Sequence, residues 1–258
     1  MEPKPAQWSR EHAQAWDDAD AARSYLARPA YPAETFEVLA GLGARGGRVL
    51  DVGTGTGELA RRLVGTAREI DAVDPSAAML ALARGLERGD HPSIRWIHGT
   101  VKHPDLAGPY EVAVAGDSIH WLDWEPAFRR LAELLMSSGR LVLLTRKDEV
   151  TPWREELREV IARFSVNPAW QPLDLVGELQ ARGLFHLEGR HETGAHMACQ
   201  SLERYLDLLH SRSSLSRARL GVAASRAFDA EVAQLVAGHL DAREIRYPVT
   251  AVLTWGRV

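Results

Sequence analysis

Cysteine is almost missing from this chain: Cys199 is the single one. One thiol excludes an internal disulfide, and no Cys/His spacing resembles a zinc site, so no metal is expected. Cys199 reads as a small core residue rather than a nucleophile. Long apolar runs are missing too. No stretch of about 18 uninterrupted apolar residues occurs, which excludes a helix across a membrane. The opening residues, Met1 to Arg10, are polar and lack an apolar signal core, so a cytoplasmic location is expected. An excess of charge of one sign is also absent. The chain carries 31 Lys and Arg against 35 Asp and Glu, a net charge of −4. That balance gives no grip on a polyphosphate, so nucleic acid is not an expected partner, and neither is a membrane. Arg212, Arg217 and Arg219 form a local basic group that reads as a solvated face. Asp17, Asp18 and Asp20 read the same way, and the five-residue spacing of His186, His191 and His196 does not suit a helical metal pair.

What is present is an ordinary globular composition, 45% hydrophobic and 26% charged over 258 residues, enough for one large α/β domain with a helical cap. Trp8, Trp16 and Tyr25 are apolar anchors in a polar opening stretch, and Ser9 to Leu26 suits one or two short helices. Pro29 and Pro32 end them, and a helix from Ala33 to Leu42 follows. Apolar runs at 48–52, 70–73, 94–97, 112–115 and 140–145 read as strands. Helical patterns at 58–64, 77–87 and 126–135 lie between them. Alternation of this kind implies parallel strands with right-handed crossovers. Because the strands are continuously apolar, both faces of the sheet are expected to be covered. After Lys147 the pattern turns helical at 151–165, 173–183, 201–210 and 223–240, with strand-like runs at 185–192 and 245–255. Three regions follow: an N-terminal helical segment and lid at 1–44, a core at 45–147, and a cap with closing strands at 148–258.

The strongest local signal is Val49-Leu50-Asp51-Val52-Gly53-Thr54-Gly55-Thr56-Gly57, a strand entering three alternating glycines before a helix. Glycines let the backbone turn sharply and let a ligand approach the main chain, and the helix offers free N–H groups. A dinucleotide fingerprint requires glycine at the sixth position, and Glu58 stands there, so G-x-G-x-G fits and G-x-G-x-x-G fails. Asp51 would repel a pyrophosphate but suits an ammonium group. Asp74, 21 residues after Gly53 and ending the second strand, can accept both hydroxyls of a ribose.

These residues resemble a class I S-adenosylmethionine-dependent methyltransferase. VLDVGTGTG at 49–57 matches the family's first motif and VDPSAAML at 73–80 its second. The resemblance implies S-adenosyl-L-methionine as cofactor. It implies donor contacts from Asp51, Gly53, Thr54, Gly55 and Gly57, from Asp74, Pro75 and Met79, from Thr100 and Val101 near adenine, and from Gly116, Asp117 and Ser118 near the methyl group. Thr100 stands where many members carry aspartate, so a hydroxyl or backbone contact replaces that side chain. SGRLVLLT at 138–145 resembles the turn into the fifth strand. Arg28-Pro29-Ala30-Tyr31-Pro32, Ile119-His120-Trp121 and the closing Tyr247 to Gly256 resemble a subgroup that includes trans-aconitate-type and related small-metabolite methyltransferases. The implied fold is a Rossmann-like, doubly wound, seven-stranded sheet. It is mostly parallel with an antiparallel C-terminal strand, and a helical insertion lies between the fifth strand and a C-terminal hairpin.

The reaction so implied is in-line transfer of a methyl group to O, N or C of a small-molecule acceptor. His120, following the fourth strand, is the candidate base, with a structural hydrogen-bonding residue as the alternative. Trp121 and Trp124 are candidates for an acceptor wall or a cation–π shield, against plain packing beneath the cap. Tyr31 is a candidate to close over the donor, and Arg28 to hold an acidic acceptor or a loop carbonyl. Two other readings remain. One is a nicotinamide-dependent oxidoreductase, which Glu58 and Asp51 oppose. The other is a protein that keeps the donor site without methylating. A monomer or homodimer is expected.

Overall fold

Five short apolar runs separated by helices or loops leave parallel pairing as the way to bury every strand on both faces, and the chain takes it. The computed structural model describes residues 4–9, 14–148 and 151–258. The part of the expected helical stretch Ser9–Leu26 at residues 10–13 lies outside the described residues, as does the start of the polar opening at 1–3. β1 (Arg48–Val52), β2 (Glu69–Asp74), β3 (Ile94–His98), β4 (Tyr110–Gly116) and β5 (Leu135–Lys147) form the parallel part. β8 (Glu244–Arg257) runs antiparallel against β5 and carries β6 (His186–Glu192) on its other side, giving the order 3-2-1-4-5-8-6.

An eighth strand, β7 (His196–Ser201), pairs with residues 244–249 of β8. It arises because the strand antiparallel to β8 breaks after Glu192. There Thr193 takes both backbone groups of Ala251, its N–H donating to the carbonyl and its hydroxyl accepting from the amide. Seven strands were expected; the break makes eight. It also carries Cys199 onto an exposed edge rather than into the core, where its thiol donates to Glu244 Oε2 at 2.7 Å.

Helices α1 (Ala19–Tyr25) and α2 (Ala33–Leu39) precede the sheet. Asp18 caps α1 by accepting from the N–H groups of Asp20 and Ala21. α3 (Glu58–Leu63), α4 (Ala77–Gly85) and α5 (Trp124–Leu134) are crossovers, while β3 and β4 are joined by a loop without a helix. One face of the sheet packs Leu59, Leu63, Leu39 and Ile70, and the other packs Phe128, Leu131, Leu134 and Phe185. Helical structure after β5 is split rather than placed in one insertion. α6 (Arg154–Phe164) and α7 (Leu175–Ala181) precede β6, whereas α8 (Leu202–His210), α9 (Arg217–Leu220) and α10 (Val222–Val236) lie within the hairpin between β7 and β8. A third apolar cluster holds this cap together, built on Trp153, Tyr205, Phe228 and Tyr247. No helix among the described residues is long and apolar enough to cross a membrane.

Candidate functional site

The order of the strands reverses between β1 and β4, and at such a point the carboxyl ends of parallel strands leave a crevice. The glycine loop fills its floor. Gly53, Gly55 and Gly57 all take left-handed φ values, 66°, 56° and 73°. A Cβ on Gly53 would lie 2.6 Å from Cβ of Ser118, and one on Gly57 would lie 2.2 Å from the Trp96 ring, so space as well as φ demands glycine at both. At Gly55 a Cβ would meet only the Tyr25 ring, at 3.6 Å. The loop is held by Asp74, whose Oδ2 accepts from the Gly55 N–H and Oδ1 from the Ser76 N–H, each at 2.8 Å. Asp74 is 7% exposed, and burial raises its pKa above the usual carboxylate value.

Asp51 lies at the end of β1 and is 1% exposed. One carboxylate oxygen, Oδ2, accepts from the Thr54 hydroxyl at 2.6 Å and the Ala60 N–H at 3.2 Å. The other, Oδ1, is buried with no partner among the described residues. Burial outweighs the two hydrogen bonds and pushes the pKa up to about 7. A buried, half-ionised carboxylate with a vacant oxygen beside a glycine loop suits a cationic donor group.

The wall beyond β4 begins at Gly116 and continues through Asp117, which takes a left-handed φ of 50°, to Ser118, whose hydroxyl donates to the Val52 carbonyl. Asp117 Oδ2 receives the Tyr31 hydroxyl at 3.4 Å, and burial raises the Asp117 pKa. Tyr31 is buried, its N–H donating to Glu58 Oε1 at 2.7 Å and its ring covered by the Arg146 guanidinium at 3.9 Å. Arg146 also pairs with Glu58 at 2.6 Å; its side chain is 5% exposed and its Nε has no partner. Glu58, which excluded a dinucleotide by its position, is thus the acid that docks Tyr31 and Arg146.

An aromatic ceiling closes over the floor. The Tyr25 ring faces Gly55, and the Trp16 carbonyl accepts from the Ser76 hydroxyl at 2.6 Å. The Trp16 ring meets Trp121 edge-on at 5.0 Å, and His120 stands between Trp8 at 5.3 Å and Trp121 at 4.8 Å. Burial, with the charges of Lys4 and Arg28 adding to it, lowers the His120 pKa to about 3. His120 is therefore neutral at physiological pH, and in this closed arrangement it is a weak base. Trp124 does not wall the crevice. It is 1% exposed, donates from Nε1 to the Ile119 carbonyl at 3.0 Å, and packs in the core under α5. Arg28 has its own partners: it lies 4.0 Å over the Tyr25 ring and donates to the hydroxyl and carbonyl of Ser211 at the end of α8.

Met79 is buried one turn into α4, and the Pro75 carbonyl faces His98 Nε2 at 2.9 Å. Thr100 is exposed and its hydroxyl accepts from the Lys102 N–H at 3.3 Å, while Val101 is buried in the core with Ile97 and Leu106. The structure thus gathers Asp51, the glycines, Asp74, Tyr31, Asp117 and Ser118 round one crevice and sends Trp124 to the core. Tyr25, Glu58, Ser76 and Arg146 are site residues that the sequence reading did not select. Among the described residues no group of three or more His, Cys, Asp or Glu is arranged to hold a metal.

Residues 49–139 match the family model described as Methyltransferase domain. The chain is 36% identical over 138 residues to an uncharacterized methyltransferase of Mycobacterium tuberculosis, covering 53% of this chain and 54% of that one, so it spans about half the length of the curated relatives it matches. A solved structure carrying the name of a type II methyltransferase, from Anaeromyxobacter dehalogenans, superposes with a TM-score of 0.62 at 23% identity, covering 89% of this chain and 97% of that one. An S-adenosylmethionine-dependent methyltransferase from Geobacter sulfurreducens, solved with S-adenosyl-L-homocysteine, gives 0.50 at 19% identity, covering 88% of this chain and 92% of that one. The fold is Rossmann-like and superposes on solved methyltransferase structures, and residues 49–139 match the methyltransferase-domain model within it.

Proposed function

We propose that the protein is an S-adenosylmethionine-dependent methyltransferase acting on a small-molecule acceptor. One observation carries the reading: a glycine loop with three left-handed residues lies between two buried aspartates, and one of them, Asp51, holds a vacant oxygen. The donor's parts fit these groups. Asp51 Oδ1 suits the ammonium, and the left-handed glycines let the methionine part lie on the backbone. Asp74, already holding Gly55 and Ser76 through one lone pair on each oxygen, keeps its remaining lone pairs for ribose hydroxyls. Met79, Pro75, Thr100 and Val101 are assigned to the adenine side, and Gly116, Asp117 and Ser118 to the methyl side. The relatives' names do not decide the acceptor; the aromatic, enclosed character of the ceiling favours a small one.

When bound, S-adenosylmethionine supplies a methyl group on a sulfonium whose leaving group is a neutral thioether. The protein's share is then alignment and exclusion of water. Tyr31, packed under Arg146 and bonded to Asp117, rigidifies the methyl side of the crevice. Trp8, Trp16, Tyr25 and Trp121 keep solvent out. His120, neutral between two tryptophan rings, orients an acceptor by hydrogen bonding and takes its proton only where the acceptor is already acidic. Trp121 and Arg28 stand at the acceptor side of the ceiling. Calorimetric titration with S-adenosylmethionine, S-adenosylhomocysteine and NADH tests the donor site. Binding of the two adenosyl compounds is expected, and binding of NADH alone would reject the proposal. Methyl transfer to a member of a metabolite panel is the expected second result; donor binding with no transfer to any of them would favour a non-methylating protein that uses the same cleft.

A further inference from the structure

A groove of about 470 Å³ runs along the outside of the glycine loop, lined by Tyr25, Leu26, Arg28, Ala30, Thr56 and Glu58 and by four more arginines, Arg61, Arg62, Arg88 and Arg204, with Glu87. Five guanidinium groups against two carboxylates is unexpected in a chain whose net charge is −4. Nor are the charges neutralised by pairing within the fold. Arg61 donates to the carbonyls of Thr56 and Glu87, each at 3.2 Å. Arg62 donates to the Tyr31 carbonyl at 2.6 Å and lies 4.0 Å over the Phe36 ring. Arg204 donates to the Leu26 carbonyl at 2.6 Å. Arg28 is held by Tyr25 and Ser211. Among the described residues Arg88 alone of the five meets a carboxylate, that of Glu87 at 4.0 Å. The other acid of the groove, Glu58, is already engaged by Arg146 and the Tyr31 N–H.

Carbonyl partners fix the direction of a guanidinium without cancelling its charge, so these arginines are oriented and still carry donors for an anion. Partial burial of Arg61 and Arg62 lowers their pKa values, the sign of charge held out of water without a full counter-charge. Several planar forks converging on one concavity suit oxyanions presented together, because each fork can bond two oxygens at once. The volume is that of a pocket for a small molecule. We propose that this groove, which adjoins the donor cleft through Tyr25, Arg28 and Glu58 but opens on the arginine side of the glycine loop, is a second binding site for a small molecule bearing two or more phosphate or carboxylate groups. It lies beyond the methyl-transfer reading and does not depend on it.

Pyrophosphate and citrate are the probes, titrated into the full chain by calorimetry in 150 mM sodium chloride (roughly physiological ionic strength), with and without saturating S-adenosylhomocysteine. Saturable one-to-one binding of at least one probe is expected, unchanged by S-adenosylhomocysteine. Pyrophosphate favoured over citrate would name a phosphate ligand, and the reverse a carboxylate ligand. Arg88→Gln and Arg204→Gln, both on exposed side chains, are each expected to weaken the probe about tenfold while leaving the affinity for S-adenosylhomocysteine as it was. Absence of saturable binding by either probe would overturn the proposal. So would binding that both variants leave unchanged, or full competition by S-adenosylhomocysteine, which would make the groove an extension of the donor cleft. Failure of the donor reading shows separately, as loss of S-adenosylhomocysteine binding by the unaltered protein.

Discussion

Asp51→Asn separates what the buried carboxylate does for the fold from what it does for a ligand. Asp51 is 1% exposed, with Oδ1 unpartnered and its pKa raised by burial from 3.8 to about 7. A carboxyl group whose folded pKa lies above its unfolded one favours folding while it is protonated in both states, below about pH 4. That contribution is lost as pH rises through the folded value near 7. At pH 8 the ionised group therefore opposes folding by about 4 kcal/mol. Asparagine has the same shape and no charge. Its carbonyl can keep the bonds from Thr54 and Ala60, but its amide hydrogens then lie where Oδ1 has no partner, costing about 1–3 kcal/mol. A net stabilisation of about 1–3 kcal/mol at pH 8 follows, or about 2–6 °C in melting temperature for a chain of this length. At pH 5 the parent has lost only about 1.6 kcal/mol of this linkage while the variant still carries its unpartnered amide, so the advantage should vanish and the variant should melt level with the parent or slightly below it. Differential scanning calorimetry at both pH values, with and without S-adenosylhomocysteine, reads all of this, and the ligand should stabilise the variant much less than the parent. A variant that melts lower at pH 8, or shows the same difference at both pH values, would refute the reasoning, because a hidden partner would then already be compensating the charge.

Asp74→Ala removes the acceptor for the Gly55 and Ser76 N–H groups and, on the proposed function, for ribose, so the binding free energy of S-adenosylhomocysteine should weaken by about 1.5–3 kcal/mol in calorimetry, a rise in dissociation constant of roughly ten- to a hundredfold. An unaltered constant contradicts the assignment. Gly57→Ala places a Cβ at φ 73° and 2.2 Å from the Trp96 ring; urea unfolding should show a loss of about 1–3 kcal/mol. With its pKa lowered to about 3, His120 gains no proton between pH 8 and pH 5, so kcat/KM should show no inflection from it in that range. An acid limb near pH 6.5 that vanishes in His120→Ala would show that the ceiling opens and exposes the imidazole before chemistry. Arg146→Met leaves Glu58 without its ion pair in a half-buried place and should destabilise the fold by about 3–5 kcal/mol, read by the urea midpoint.

The parallel core was legible because its signals are local. Each strand is a short apolar run, and each turn from β1 or β2 into its helix is marked by glycine, or by Asp-Pro-Ser with Ser76 accepting from the Met79 N–H. Asp51 and Asp74 were legible for the same reason, being fixed in register by strands they terminate. Trp124 was misplaced because a tryptophan after the fourth strand looks the same whether it faces a ligand or the core. Its helix begins at Trp124, two residues before the expected start at 126, and the ring turns inward beneath Arg182. β7 was missed because His196 to Ser201 alternates without a run of apolar residues, its pairing being set by β8 some fifty residues later. Tyr25, Glu58 and Arg146 entered the site only through contacts between distant segments. The Tyr31 to Glu58 bond spans 27 residues and the Arg146 to Glu58 pair 88, separations that no local pattern records.

The ceiling has a practical consequence. Trp8, Trp16 and Trp121, three of the chain's 8 tryptophans, gather round His120 above the glycine loop, and the core residue Trp124 packs against Trp8 from behind. Any molecule that reaches the floor has to part those rings or displace Tyr25 from Gly55. Occupancy should therefore change the indole emission of the protein itself, so that arrival and departure of a ligand can be timed by stopped flow with no added dye. Because Asn167 and Gln171 grip Gln7 while Ser211 grips Arg28, the same optical change would register movement of the cap.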